Sequence, residues 1–177
     1  MFDYRASLLD RIQPSKDYVY WECLFKDVNF EEKYRGEIIA SNGDSANYAQ
    51  YAQEINPSNG FFVECHPLIC YTYIIGVNDD NSTDLIDSEG ELKQFIGEID
   101  NTSEVILSVI LNGYSYDSDT IIGGAFQERE NDYLLYILEY SSWPVTYKSV
   151  QAILAKNGDF AVIDQTIYKQ TEEYIIE

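Results

Sequence analysis

The chain has 177 residues, with 31 Asp or Glu against 11 Lys or Arg, a formal net charge of −20. Its 45% hydrophobic and 15% aromatic content excludes charge-driven disorder, which requires few aromatic and branched side chains. So few basic residues also exclude direct binding to a nucleic-acid backbone, while the charge exceeds the magnitude of roughly 2 to 8 that solubility asks of a small domain.

In chain order, Arg5 to Ile12 has Leu8, Leu9 and Ile12 on one helical face and is stopped at Pro14. Tyr18 to Phe25 alternates as a strand, and Tyr34 to Ala40 is a second, ended by Ser41, Asn42 and Gly43. Asp44 to Ile55 turns helical, with Asn56, Pro57 and Gly60 beyond its end. Phe61 to Val77 reads as two strands, or one strand kinked at Pro67. Asn78 to Thr83 is a polar loop. Ser88 and Glu91 have capping-box spacing ahead of Leu92, Phe95, Ile96 and Ile99, which mark a helix.

Val105 to Leu111 is apolar enough for a buried strand, but its punctuation favours a buried helix: Asn101 with Glu104 caps one end, Asn112 with Gly113 the other. Strands follow at Ile122 to Glu128 and Tyr133 to Tyr140, joined near Asn131 and Asp132. A hairpin of Val150 to Ala155 and Phe160 to Tyr168 closes the pattern, with Asn157-Gly158 expected to form a type I′ turn having two positive φ angles. The expected architecture is one α+β domain over residues 1–177: a mostly antiparallel sheet of about six or seven strands, with helices packed on one face.

The negative charge is uneven. Between Gly76 and Glu139 there are 15 acidic residues against Lys93 and Arg129, whereas the first third is closer to balanced. No catalytic constellation stands beside it. Cys65 and the single histidine, His66, are adjacent and would point to opposite faces of a strand, so they cannot form a nucleophilic dyad. A four-ligand zinc site would need Cys23, Cys65, Cys70 and His66 all to converge. Phosphate-cradling glycine loops and a Gly-x-Ser-x-Gly elbow are missing. Asn78 to Asp84 and Asp117 to Asp119 offer oxygen ligands for a hard cation but lack the EF-hand glycine and distal glutamate. No cofactor or metal is expected.

The start MFDYRASLLDRI carries no secretion-signal pattern, and apolar runs such as Pro67 to Val77 fall short of the roughly 20 residues of a membrane helix. Three cysteines without a framework spacing suit a reducing compartment, so a cytoplasmic location with buried thiols is expected. Tyr18, Tyr20, Trp21, Tyr71, Tyr73, Tyr133, Tyr136 and Tyr140 lie in strand candidates, where cross-strand packing or a binding interface would account for them.

The segment Phe95 to Tyr114, FIGEIDNTSEVILSVILNGY, with the Tyr-rich strand and the Trp143-Pro144 that follow, resembles small uncharacterised bacterial proteins of the toxin-immunity type. The resemblance implies no activity and assigns no residues. From charge and chemistry, the expected function is an acidic binding protein, not an enzyme: an immunity protein that neutralises a basic toxin, a nuclease for instance, by direct contact. Asp117, Asp119, Glu128, Glu130 and Asp132 are the candidate contact surface, with Tyr114 and Tyr116 as aromatic anchors. Two other classes stay open: a carboxylate enzyme acting on carbohydrate or through a divalent metal, with Asp79, Asp84, Asp117 and Asp119 as ligands, and a nucleic-acid mimic that blocks an enzyme.

Overall fold

The computed structural model describes residues 4–27, 34–64, 69–117 and 119–171. Strand content of 46% exceeds helix content of 18%, and the chain divides into two compact units, Met1–Gly97 and Glu98–Glu177. The strands form two antiparallel sheets where a single one was expected. Periodicity reports which residues are strands but carries nothing about which strands pair, so the second sheet is invisible to it.

In the first unit, α1 (Tyr4–Leu9) precedes β1 (Tyr20–Asp27), β2 (Glu37–Gly43), α2 (Ser45–Ala52), β3 (Phe61–Glu64), β4 (Cys70–Val77), β5 (Thr83–Ile86) and α3 (Glu89–Phe95). The sheet order is β2-β1-β4-β3, with β5 also paired to β4. Every residue of β4, CYTYIIGV, is buried, as a continuous apolar run in a covered central strand should be. The expected kink at Pro67 lies outside the described residues. β5 was not foreseen: Thr83–Ile86 is short, and only its pairing with Ile74–Val77 makes it a strand.

Asp44 caps α2 by accepting from the Asn47 amide at 3.3 Å. Tyr48, Ala49, Tyr51 and Ile55 then pack on Tyr20, Leu24, Tyr71, Tyr73 and Ile75. On the other side of β1, Trp21 meets Phe95 of α3 edge to face at 5.8 Å. Neighbouring strand residues point to opposite faces, so helical side chains reach both faces of this sheet. Ser88 and Glu91 form the expected reciprocal cap: Ser88 Oγ accepts from the Glu91 amide at 3.3 Å, and Glu91 accepts from the Asp87 amide at 3.0 Å.

The second unit begins with α4 (Thr102–Leu111), whose N-cap Asn101 accepts from the Glu104 amide at 3.1 Å. Gly113 sits beyond its end at φ +81. A meander follows: β6 (Gly124–Glu128), β7 (Asp132–Ser142), β8 (Val145–Ala155) and β9 (Phe160–Gln170), in that spatial order. Tyr133, Leu135 and Ile137 of β7 and Val150, Ala152 and Leu154 of β8 alternate into the core. The Tyr133 hydroxyl donates to Ile99 O at 3.1 Å and the Ile99 amide to Lys156 O at 2.8 Å, tying the α4 entry to the β8–β9 turn.

That turn is not type I′. The Gly158 amide donates to Ala155 O at 2.9 Å, and of Asn157 and Gly158 only the glycine, at φ +90, is left-handed. A three-residue loop, Lys156 to Gly158, asks for one such residue and not two. β8 also starts at Val145, five residues earlier than expected.

Candidate partner-binding surface

The hairpin of β6 and β7 brings Glu128, Glu130 and Asp132 onto one turn, with Glu128 paired to Tyr133 in register. The Arg129 amide donates to Asp132 O at 2.8 Å. Its guanidinium also pairs with the Asp132 carboxylate, and Lys156 Nζ lies 3.4 Å from Glu128 Oε1. Two of the three acids are therefore partly compensated from within. Glu130 is exposed at the tip, and no ion pair to it is found among the described residues.

Asp117 and Asp119 occupy a separate turn. The Asp117 amide donates to Gly123 O at 3.0 Å, and Asp117 Oδ1 accepts from the Asp119 amide at 3.0 Å. Gly123 has no room for a side chain there, since a Cβ would lie 2.1 Å from Leu138 Cγ. Ser149 Oγ pins the same turn by donating to Ile122 O at 2.7 Å. This turn enters β6 at Gly124, whereas the Glu128–Asp132 turn leaves at the other end. At roughly 3.3 Å per residue the strand separates them by about 13 Å, so the five acids expected to form one surface make two clusters.

The expected anchors are partly occupied. Tyr114 is half-buried and stacks on Phe160, with centroids 5.3 Å apart and an interplanar angle of 25°. Tyr116 is half-buried as well. A different aromatic group is more accessible. Tyr140 of β7 and Tyr147 of β8 are directly paired in register with centroids 5.3 Å apart, and Tyr168 of β9 lies 6.1 Å from Tyr147. Lys169 Nζ sits 5.3 Å over the Tyr147 ring. Burial first, and then the charge of Asp117, pushes the Tyr168 phenol up. Tyr147 lay outside the expected β8, so this juxtaposition was missed; Tyr140 and Tyr147 standing symmetrically about Trp143-Pro144 was the available signal.

Elsewhere the acids have internal tasks. Asp84 accepts from Lys16 Nζ at 2.7 Å and from the Tyr18 hydroxyl at 3.0 Å. Lys16, chiefly, holds the Asp84 carboxyl below its usual range. Asp80 accepts from the Ser82 amide and hydroxyl, so Asp80 and Asp84 of the 78–84 loop are both engaged by protein donors. Among the described residues no group of three His, Cys, Asp or Glu could hold a metal ion, and no helix is long and apolar enough to cross a membrane. His66 and Cys65 lie outside the described residues. Cys23 is a buried free thiol, but Cys70 is disulfide-bonded. The expectation of buried thiols throughout is corrected there, because an odd count of cysteines is equally compatible with one pair and one lone thiol.

The charge divides evenly between the two units: 17 acidic against 7 basic residues in 1–97, and 14 against 4 in 98–177, a net −10 for each. Compared with known protein families, curated proteins and solved structures, the chain matches none.

Proposed function

We propose that this chain is an acidic binding protein that engages a basic protein partner by direct contact. Its most specific form is an immunity protein that neutralises a basic toxin, such as a nuclease, by covering its active site. One observation carries the reading. Three of the four basic residues of the second unit are paired with carboxylates, Arg129 with Asp132, Lys148 with Glu139 and Lys156 with Glu128, and the fourth, Lys169, lies over the Tyr147 ring. The charge this unit offers to an incoming molecule is therefore acidic, with Asp119 and Glu130 exposed at its two turns. Such a surface steers a basic partner and speeds its association at low salt.

The test is capture of partners from the source cell at low and high salt, followed by association kinetics. Asp119→Lys and Glu130→Lys leave the internal ion pairs intact. Together they should slow association and flatten its salt dependence. Unchanged kinetics would remove both turns from the interface, and recovery of acidic partners alone would end the reading. A cytoplasmic location belongs to this proposal; the disulfide at Cys70 opposes it, because disulfides persist mainly in oxidising compartments. Fractionation of source cells decides between them.

A further inference from the structure

We propose that the ring array of Tyr140, Tyr147 and Tyr168 is a docking surface for an arginine- or lysine-bearing segment of the basic partner. This inference rests on the binding reading above and names a contact that reading does not contain.

The array lies on the sheet face away from the core, since Tyr147 and Ser149 alternate with the buried Val150 and Ala152. Tyr140 and Tyr168 are 41% and 43% exposed. Ile121 and Ile122, held over Ser149 by the Ile122 carbonyl, add exposed apolar surface, as does Trp143 on the β7–β8 turn. Exposed apolar and aromatic groups gathered in one place mark an interaction site more often than scattered ones do.

The occupant follows from charge and ring geometry. Lys169 already places an ammonium over Tyr147, which shows a cation held on that ring and leaves the exposed rings of Tyr140 and Tyr168 to an incoming one. The unit that carries the array has 14 acidic residues against 4 basic ones, so a cationic segment is its complementary partner. Successive rings are tilted by 55° and 47°. They present separate faces to separate cations and do not make the flat platform on which a sugar ring would stack. A guanidinium stacks on such rings, which suits it to faces set apart from one another.

The experiment titrates the full chain with a nona-arginine peptide while following tryptophan emission. Trp21 is buried and Trp143 is 65% exposed, so quenching by an aqueous quencher reports the neighbourhood of the array. Replacing Tyr140 and Tyr168 together by Ala should weaken binding about tenfold, whereas the paired Phe replacements, which keep the ring faces, should stay within about threefold of the wild type. Equal weakening by Phe and Ala would overturn the inference. So would unchanged affinity in the Ala pair while Asp119→Lys with Glu130→Lys abolishes binding, a result that leaves the acidic reading standing. Failure of the wild-type chain to bind the peptide at low salt would overturn both. Stronger protection of Trp143 by a neutral oligosaccharide than by the peptide would also overturn it, in favour of a sugar.

Discussion

Arg35 and Glu22 form an ion pair inside the first unit, Nη2 to Oε1 at 2.5 Å, with the glutamate side chain only 2% exposed. Arg35 also donates to Ala52 O at 2.7 Å and Ile55 O at 3.0 Å, and the Tyr20 hydroxyl donates to Glu22 Oε2 at 2.8 Å. The guanidinium thus ties β1 to the end of α2. Both carboxylate oxygens are used by protein donors, so the pair serves structure and not an outside ligand.

Arg35→Ala strands a buried carboxylate, and loss of one partner from such a pair costs about 3–5 kcal/mol. Urea denaturation should show a fall of that size. The double replacement Glu22→Leu with Arg35→Met should recover much of it, because no charge is then left buried. A double variant as unstable as the sum of its parts would show that packing, and not the stranded charge, sets the cost.

Alkaline pH should destabilise the first unit. Burial pushes the Tyr73 phenol from 10.0 up to about 12. Below pH 10 this group is neutral in both folded and unfolded chains, and its contribution to stability is fully present. Between pH 10 and about 12 the unfolded chain loses the proton first, so stability falls across that window. Tyr73→Phe removes a hydrogen bond from the hydroxyl to Arg35 O at 2.6 Å, which costs roughly 1 kcal/mol at neutral pH. It should also flatten the alkaline slope by up to one proton. A slope identical to the wild type would assign the loss to other tyrosines.

Gly123→Ala should disturb the Asp117 turn. The new methyl would lie against Leu138 Cγ, and Leu138 is itself buried. Overpacking of this kind costs about 1–3 kcal/mol. We expect lower thermal stability together with a changed Trp143 emission, since the turn lies over the face that carries Tyr147. Wild-type stability would mean that Leu138 moves aside freely.

Thiol titration should separate the cysteines. Cys23 is fully buried, and burial alone pushes its thiol up, well away from the reactive thiolate. The native chain should show no reactive thiol, and the denatured, unreduced chain about one. Three thiols on denaturation would mean that the Cys70 disulfide does not form under the conditions used.

Local features were legible because their energetics are local. The caps at Ser88 and Asn101 each satisfy an amide three residues away, whereas the turn after β8, expected to be left-handed at both Asn157 and Gly158, is so only at the glycine. Strand pairing was not legible. Tyr140 and Tyr147 meet only through a β7–β8 register that begins at Ser142 and Val145, and β5 exists only through β4.

By itself the sequence determined the sign and size of the charge, the α+β class and the buried helix at Thr102–Leu111. Tertiary structure alone decided which charges are compensated. Lys156 reaches Glu128 across 28 residues and Lys16 reaches Asp84 across 68, distances in sequence over which composition carries no information. The same folding buried Glu22, split the expected acidic surface between the two ends of β6, and assembled exposed rings from three strands beside one of those ends. A net charge sums over the whole chain, but a partner meets only the carboxylates and rings that folding leaves uncovered.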